Sequence, residues 1–320
     1  MNAVCAVVLT YNRKALLHRC LEAVASQTRP CDRIIVVDNA STDGTLDELN
    51  EVWGDRIEVL ALSRNVGAAG GFSIGMRVGY QTGAERLWLM DDDVIPDPDA
   101  LERLLAGEAR LAERGLSASY LVSVARTGRG LMINTPGIDL RQNEIWSHEW
   151  PKLLDIGLVP VNRATFVSIL LPRVTMARHG ALLAEMFIWG EDVEYTTRVA
   201  LDVPGYVVGE SKVQHLRQIE GELTLETESN PARIRYHFHR TRNMVFIRRR
   251  YDSRTNFIRE VLLNLKRAAY FLRRGEWLKV KILVAGVARG ITFSPEKVDI
   301  DRPFRDEPID FPAYRTRYGV

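Results

Sequence analysis

The chain has 320 residues, 46% of them hydrophobic and 26% charged. That is enough for a sizeable core in one large α/β domain with an appendage, or in two modest domains. The net charge of +2 argues against a whole-molecule attraction to nucleic acid.

The start, MNAVCAVVLTYN, lacks a basic leader and reads as a buried strand. No apolar stretch reaches the ~18–20 residues of a membrane span. Cys5, Cys20 and Cys31 fit no metal motif, and a reducing cytoplasm is the expected compartment.

The apolar runs Val4–Leu9 and Ile34–Val37 predict parallel strands buried on both faces. Between them, Lys14–Ser26 carries apolar residues at helical spacing. Arg56–Leu62 and Arg86–Met90 predict two more strands, and Gly70–Gln81 a helix with a glycine-rich start. Pro98 opens another helix, through about Glu113, with Asp97 as its expected N-cap. This alternation indicates a doubly wound sheet. From 126 to 172 the pattern loosens into short β-like pieces. Residues 173–183 and 192–201 read as helical, with a strand at Tyr206–Gly209. Beyond about 231 the chain turns helical, with amphipathic stretches around Phe257–Ala269 and Trp277–Ala288, and the last 30 residues read as irregular. Between Arg248 and Arg289, 12 basic residues face three acidic ones. Such a face suits an anionic surface or phosphate, and equally a solvated helix.

Ligands of open α/β sheets bind beyond the carboxyl ends of the strands. Four polar segments lie there: Thr10-Tyr11-Asn12, Asp38–Ser41, Arg64–Gly67 and Asp91-Asp92-Asp93. A carboxylate at Asp38 can accept hydrogen bonds from a base or ribose, while Asp43 suits a cap and turn equally well. The glycines of Asn65–Met76 can host phosphate at a helix start or simply allow close packing. Three adjacent carboxylates are harder to explain, because like charges raise one another's pKa. A hard divalent cation, magnesium or manganese, with a diphosphate resolves that conflict. A second acidic cluster, Glu191-Asp192-Val193-Glu194, opens a helix. It suits a general base or ordinary helix-start acidity. His215 follows a strand and can complete a metal shell or be structural.

Together VVLTYNR (7–13), VVDNASTDGT (36–45), RNVGAAGGF (64–72), WLMDDDVIPDP (88–98) and FIWGEDVEYTTR (187–198) resemble family-2 glycosyltransferases of the GT-A fold. The likeness spans roughly residues 3–250. NVGAAGGF, DDDVIPDP and FIWGEDVEY are similar to bacterial galactofuranosyltransferases and to the related rhamnosyltransferases of cell-wall and O-antigen polysaccharides.

The resemblance implies a doubly wound mixed sheet with a C-terminal helical extension. Residues 1–230 would be the catalytic domain, with a nucleotide-binding part (1–125) and an acceptor-binding part (126–230). Residues 231–320 would be a helical region and irregular tail. Thr10, Tyr11 and Asp38 would hold the nucleotide base, with Arg64 near base or diphosphate. Asp91 and Asp92 would contact ribose and diphosphate. Asp93 and His215 would bind Mn2+ or Mg2+, with Asp91 sharing. Asp192 would be the catalytic base, supported by Glu191. Trp189 would line the acceptor or sugar pocket, and Arg240 or Arg242 would meet phosphate. His237 and His239 are not expected to bind metal.

The implied reaction is inverting transfer of a sugar onto a growing cell-surface glycan, with a polyprenyl diphosphate as one option for its carrier. UDP-galactofuranose is the preferred donor and dTDP-rhamnose the alternative. The basic helices after Arg248 would touch the inner membrane face, or else form a lid or an oligomer contact. Two other classes compete. An NAD-linked dehydrogenase needs glycines in the first strand–helix turn, where this chain has TYNRKALL. A non-catalytic glycan-binding or scaffold protein would not need a complete metal-and-base set.

Overall fold

A computed structural model describes residues 3–216, 224–304 and 307–309. The element order opens with β1 (Val4–Thr10), α1 (Lys14–Ala25), β2 (Arg33–Asp38), α2 (Thr45–Glu48), β3 (Glu58–Ala61), α3 (Gly67–Gln81) and β4 (Arg86–Asp91). β1 lies between β2 and β4, all parallel, and β3 extends the edge beside β2. The strands are apolar on both sides because helices cover both faces. Val4, Ala6 and Val8 pack with Leu17 and Leu21 of α1, whereas Val7 and Leu9 pack with Phe72 and Met76 of α3.

After β4 come β5 (Val94–Pro96), α4 (Ala100–Glu113), β6 (Leu121–Arg126), β7 (Gly137–Ile138), β8 (Leu158–Arg163), β9 (Ile169–Pro172), α5 (Arg173–His179), α6 (Glu191–Ala200) and β10 (Gly205–His215). The sheet runs β3-β2-β1-β4-β9-β6-β10-β8-β7, with β5 on β10. β9 is antiparallel to both β4 and β6, which makes the sheet mixed.

Two pairings build the site. Leu9 stands beside Asp91, and Thr10 beside Asp38, so three strand ends open at one level. β5 runs antiparallel to the end of β10 and sets His215 beside Val94, next to Asp93. The backbone closes this corner: the Leu216 N–H donates to the Asp93 carbonyl at 2.7 Å.

The expected N-cap at Asp97 is corrected. Asp99 holds that position without a side-chain capping bond, and Asp97 pairs with Arg126 at 2.7 Å. The Gln27 side chain accepts from the Leu101 N–H at 3.0 Å, so a distant residue satisfies the helix start.

α7 (Pro231–Tyr251), α8 (Arg254–Arg273) and α9 (Trp277–Thr292) follow. α9 packs closely on α7, where a Cβ at Gly286 or Gly290 would collide with Thr241 or Val245. The described part of the tail is irregular yet anchored. Buried Arg77 of α3 pairs with Glu307 and donates to the carbonyls of Arg302 and Pro303. Ile300 and Ile309 are buried in the main core. Among the described residues, no helix is long and apolar enough to cross a membrane.

Candidate active site

A cavity of about 530 Å³ opens at the strand ends. Its walls include Asp91, Asp93, Trp189, Glu191, Asp192, His215 and Arg240, brought together from β4 and the turn after it, β10, α6 and the loop before it, and α7. Arg13, Asn134, Phe166 and Arg233, to which the sequence analysis assigned no role, also line it.

The three aspartates have three environments. Asp92 turns under the floor, where its carboxylate accepts from Thr10 Oγ1 at 2.7 Å and from Arg13 Nη1 at 3.2 Å. Burial pushes it up to about 6, against the pull of Arg13 and Thr10. Asp93 meets Arg13 Nη1 at 3.0 Å and His215 Nε2 at 3.1 Å. The imidazole approach is not aligned as a hydrogen bond, which leaves the buried Asp93 Oδ1 without a hydrogen-bond partner. Burial raises the Asp93 carboxyl, but the His215 contact and the Arg13 charge outweigh it and hold the group below its usual range. Asp91 is raised well above that range, by burial first and then by Asp93 and Asp92.

His215 is oriented from behind: Nδ1 lies 3.0 Å from Asn134 Oδ1. That contact favours a proton on Nδ1 and turns Nε2 toward Asp93.

The opposite wall is a tightly turned loop. Phe187 and Trp189 both have positive φ, 64° and 61°, and Gly190 follows at 115°. Positive φ is costly for bulky residues and persists where surroundings enforce it. Gly67 enforces it from below: the Phe187 carbonyl receives the Ala69 N–H at 3.0 Å, and a Cβ on Gly67 would lie 2.2 Å from that oxygen. Asn243 enforces it from above. Its fully buried amide donates to the carbonyls of Met186, Ile188 and Trp189 at 2.9, 3.2 and 3.0 Å. Replacing Asn243 with Ala would take the amide donor from the Ile188 and Trp189 carbonyls, each bond worth about 1 kcal/mol, and empty its buried site, while Met186 keeps Arg242. We expect a loss of about 2–3 kcal/mol, read by urea unfolding; a loss below 0.5 kcal/mol would contradict the clamp.

The loop delivers Glu191 and Asp192 into the first turn of α6. Glu191 is buried, with Oε2 unpartnered, and is raised well above its usual range by burial and by Asp192. Burial likewise pushes Asp192 up to about 6, although Oδ1 accepts the Val193 N–H at 2.7 Å. Glu194 is different: it is enclosed by Arg198 and the Tyr251 hydroxyl, and ties α6 to α7.

Other sequence candidates lie outside the cavity lining. Asp38 is buried and accepts the Ser41 N–H at 3.1 Å; burial raises it. Tyr11 and Arg64 are exposed near that strand end. Asn39 joins these loops, donating to Asn65 Oδ1 and the Gly67 carbonyl and accepting from the Val66 N–H. Arg240 lines the cavity, and Arg242 does not. The Arg242 guanidinium donates to the Glu185 and Met186 carbonyls and to Asn243 Oδ1, 4.1 Å from the Phe293 ring centre. It braces the loop from outside. His237 and His239 pack against Trp189 and Phe187, and burial lowers both to about 4.

Residues 5–113 match the family described as glycosyl transferase family 2. The chain carries a family 2 glycosyl transferase domain. This domain supplies β1 to β4 and the acidic triplet, whereas His215 and the Trp189 loop lie beyond the matched residues. The chain is 33% identical over 205 residues to the galactofuranosyltransferase GlfT1 of Mycobacterium tuberculosis, covering 62% of this chain and 64% of that protein. It is 45% identical over 108 residues to the GlfT1 of Mycolicibacterium smegmatis, covering 33% and 35%. The matched stretches thus span less than two thirds of those relatives. The fold is similar to the crystal structure of GalNAc-T7 with UDP, GalNAc and Mn2+, with TM-score 0.54 and 16% identity over 76% of this chain and 47% of that one. The expected GT-A architecture, a mixed α/β sheet followed by C-terminal helices, is the one observed.

Proposed function

We propose that this chain is an inverting, metal-dependent glycosyltransferase that moves a sugar from a nucleotide-sugar onto a glycan acceptor. One observation carries the reading. A single cavity joins the acidic strand end of the family 2 domain to a carboxylate, Asp192, delivered by a separate and braced loop.

Residues 1–125 would bind the nucleotide, with Thr10, Tyr11, Asp38 and Arg64 toward its base and Asp91 and Asp92 toward ribose and diphosphate. Residues 126–230 would hold the acceptor, and Trp189 and Arg240 would line its approach. The helices of 231–320 would support the loop.

The donor set fits a hard divalent cation. Asp93 has a buried oxygen without an aligned hydrogen bond, and His215 turns Nε2 toward it at 3.1 Å. Among the described residues there is no preformed cluster of three protein ligands. Two ligands suffice where diphosphate and water complete the shell. The ion would supply charge neutralisation for the leaving diphosphate. Arg13, bridging Asp92 and Asp93, offers a second positive charge at the same place.

Asp192 would take the proton from the acceptor hydroxyl. A carboxylate with a pKa near 6 is ionised at neutral pH yet basic enough for that work. One base and one displacement invert the anomeric centre; Asp192 needs no covalent bond to the sugar.

The names of the two galactofuranosyltransferase relatives favour galactofuranose from UDP-galactofuranose. The test is a donor panel of UDP-galactofuranose, UDP-galactopyranose and dTDP-rhamnose, each with manganese, read by nucleotide release in the presence of a galactan acceptor. Release from UDP-galactofuranose at least about tenfold above the others, a difference of about 1.4 kcal/mol, is expected. Preference for dTDP-rhamnose would overturn the donor assignment. No release from any donor would favour a glycan-binding role.

A further inference from the structure

We infer that the outer face of α8 is a docking surface for an anionic lipid membrane, with the helix lying in the plane of the headgroups. α8 is apolar on two sides. Its inner side buries Asn264, Ala268 and Phe271 against neighbouring helices. Its outer side leaves Ile258, Leu262, Leu265 and Leu272 exposed, at 54%, 59%, 43% and 46%. These positions recur every three, four or seven residues and form one stripe along the helix.

Charge selects the occupant. Arg259, Lys266 and Arg273 recur at seven-residue spacing beside the stripe and are exposed. Among the described residues they form no salt bridge, whereas Arg267, on the inner side, pairs with Glu226 at 2.8 Å. The one acidic residue of the helix, Glu260, turns away and accepts from Asn264. An apolar stripe bordered by unpaired cations and free of acid suits anionic headgroups above acyl chains. A second copy of the same face would set like charges together, which disfavours self-association. Trp277, 63% exposed at the start of α9, stands at the end of the same helical hairpin, where an interfacial aromatic is favoured.

The test uses the full chain and flotation with vesicles of phosphatidylcholine alone or mixed with phosphatidylglycerol. Co-flotation with the mixed vesicles only, weakening as salt rises, is expected. The double variant R259E/K266E should bind the mixed vesicles at least about tenfold less well. L262E should do the same, and unchanged thermal melting would show that both variants fold. Absence of flotation by the unsubstituted chain would overturn the inference, as would equal binding of the variants. Concentration-dependent dimerisation abolished by L262E, without flotation, would assign the face to a second copy instead. The outcome does not depend on the donor or on catalysis, so it can fail while the proposed transfer stands.

Discussion

Asp192→Asn should lower turnover about 10³-fold while nucleotide binding stays within about twofold, because general-base catalysis contributes about 10²–10⁴. Asparagine keeps the shape and can still accept the Val193 N–H, but it cannot take a proton. The same substitution should stabilise the fold. Burial raises the folded-state pKa of Asp192 from 3.8 to about 6. Between those values the folded state holds more protons than the unfolded one, so stability falls as pH rises through the folded pKa. Removing the charge removes that loss, about 3 kcal/mol at pH 8. Melting curves should show Asp192→Asn above the unsubstituted chain at pH 8, with the gap shrinking toward pH 4. In the unsubstituted chain, kcat/KM should fall about tenfold per pH unit below about 6. Turnover within threefold of normal would remove Asp192 from the base role, whatever the melting curves show.

The opposed signs of these two effects bear on what a sequence can disclose. β1, β2 and β4 were legible because parallel strands covered on both faces must be apolar throughout. The triplet was legible as a local conflict of charge. What resolves that conflict was less so. Arg13 sits in a polar turn where any side chain would do locally, and only the parallel register of β1 and β4 sets it over Asp92 and Asp93. The short pairing of β5 with β10 that places His215 leaves almost no periodicity to read. Arg240 or Arg242 was expected at phosphate, and nothing near Arg242 in the chain tells the two apart. Carbonyl partners 55 residues or so away hold Arg242 and Asn243 against the Trp189 loop. The Asp97 cap failed for the same reason, since Gln27 satisfies that helix start from another element. In each case the pattern within a segment disclosed the element, and contacts between segments decided where its polar side chains went.

The triplet itself yields the second large effect. Asp93→Asn should abolish the manganese dependence of UDP binding, weakening it at least about 10²-fold, and should lower kcat/KM by about 10³. Asparagine preserves volume and one acceptor oxygen but removes the charge that a divalent ion requires. Arg13 makes the result informative. In Asp93→Asn it keeps its contact with Asp92 at 3.2 Å, so the floor of the cavity should persist. Binding of UDP without metal should therefore change little, while the manganese increment disappears; calorimetry with and without the ion separates the two. His215→Ala, which leaves the Asp93 charge in place, should lose less of the increment than Asp93→Asn, because the carboxylate carries the electrostatic share of the binding. The order matters more than either value. If His215→Ala lost the increment and Asp93→Asn kept it, the ion would sit elsewhere in the carboxylate cluster, and Asp91 with Glu191 would be the next pair to remove.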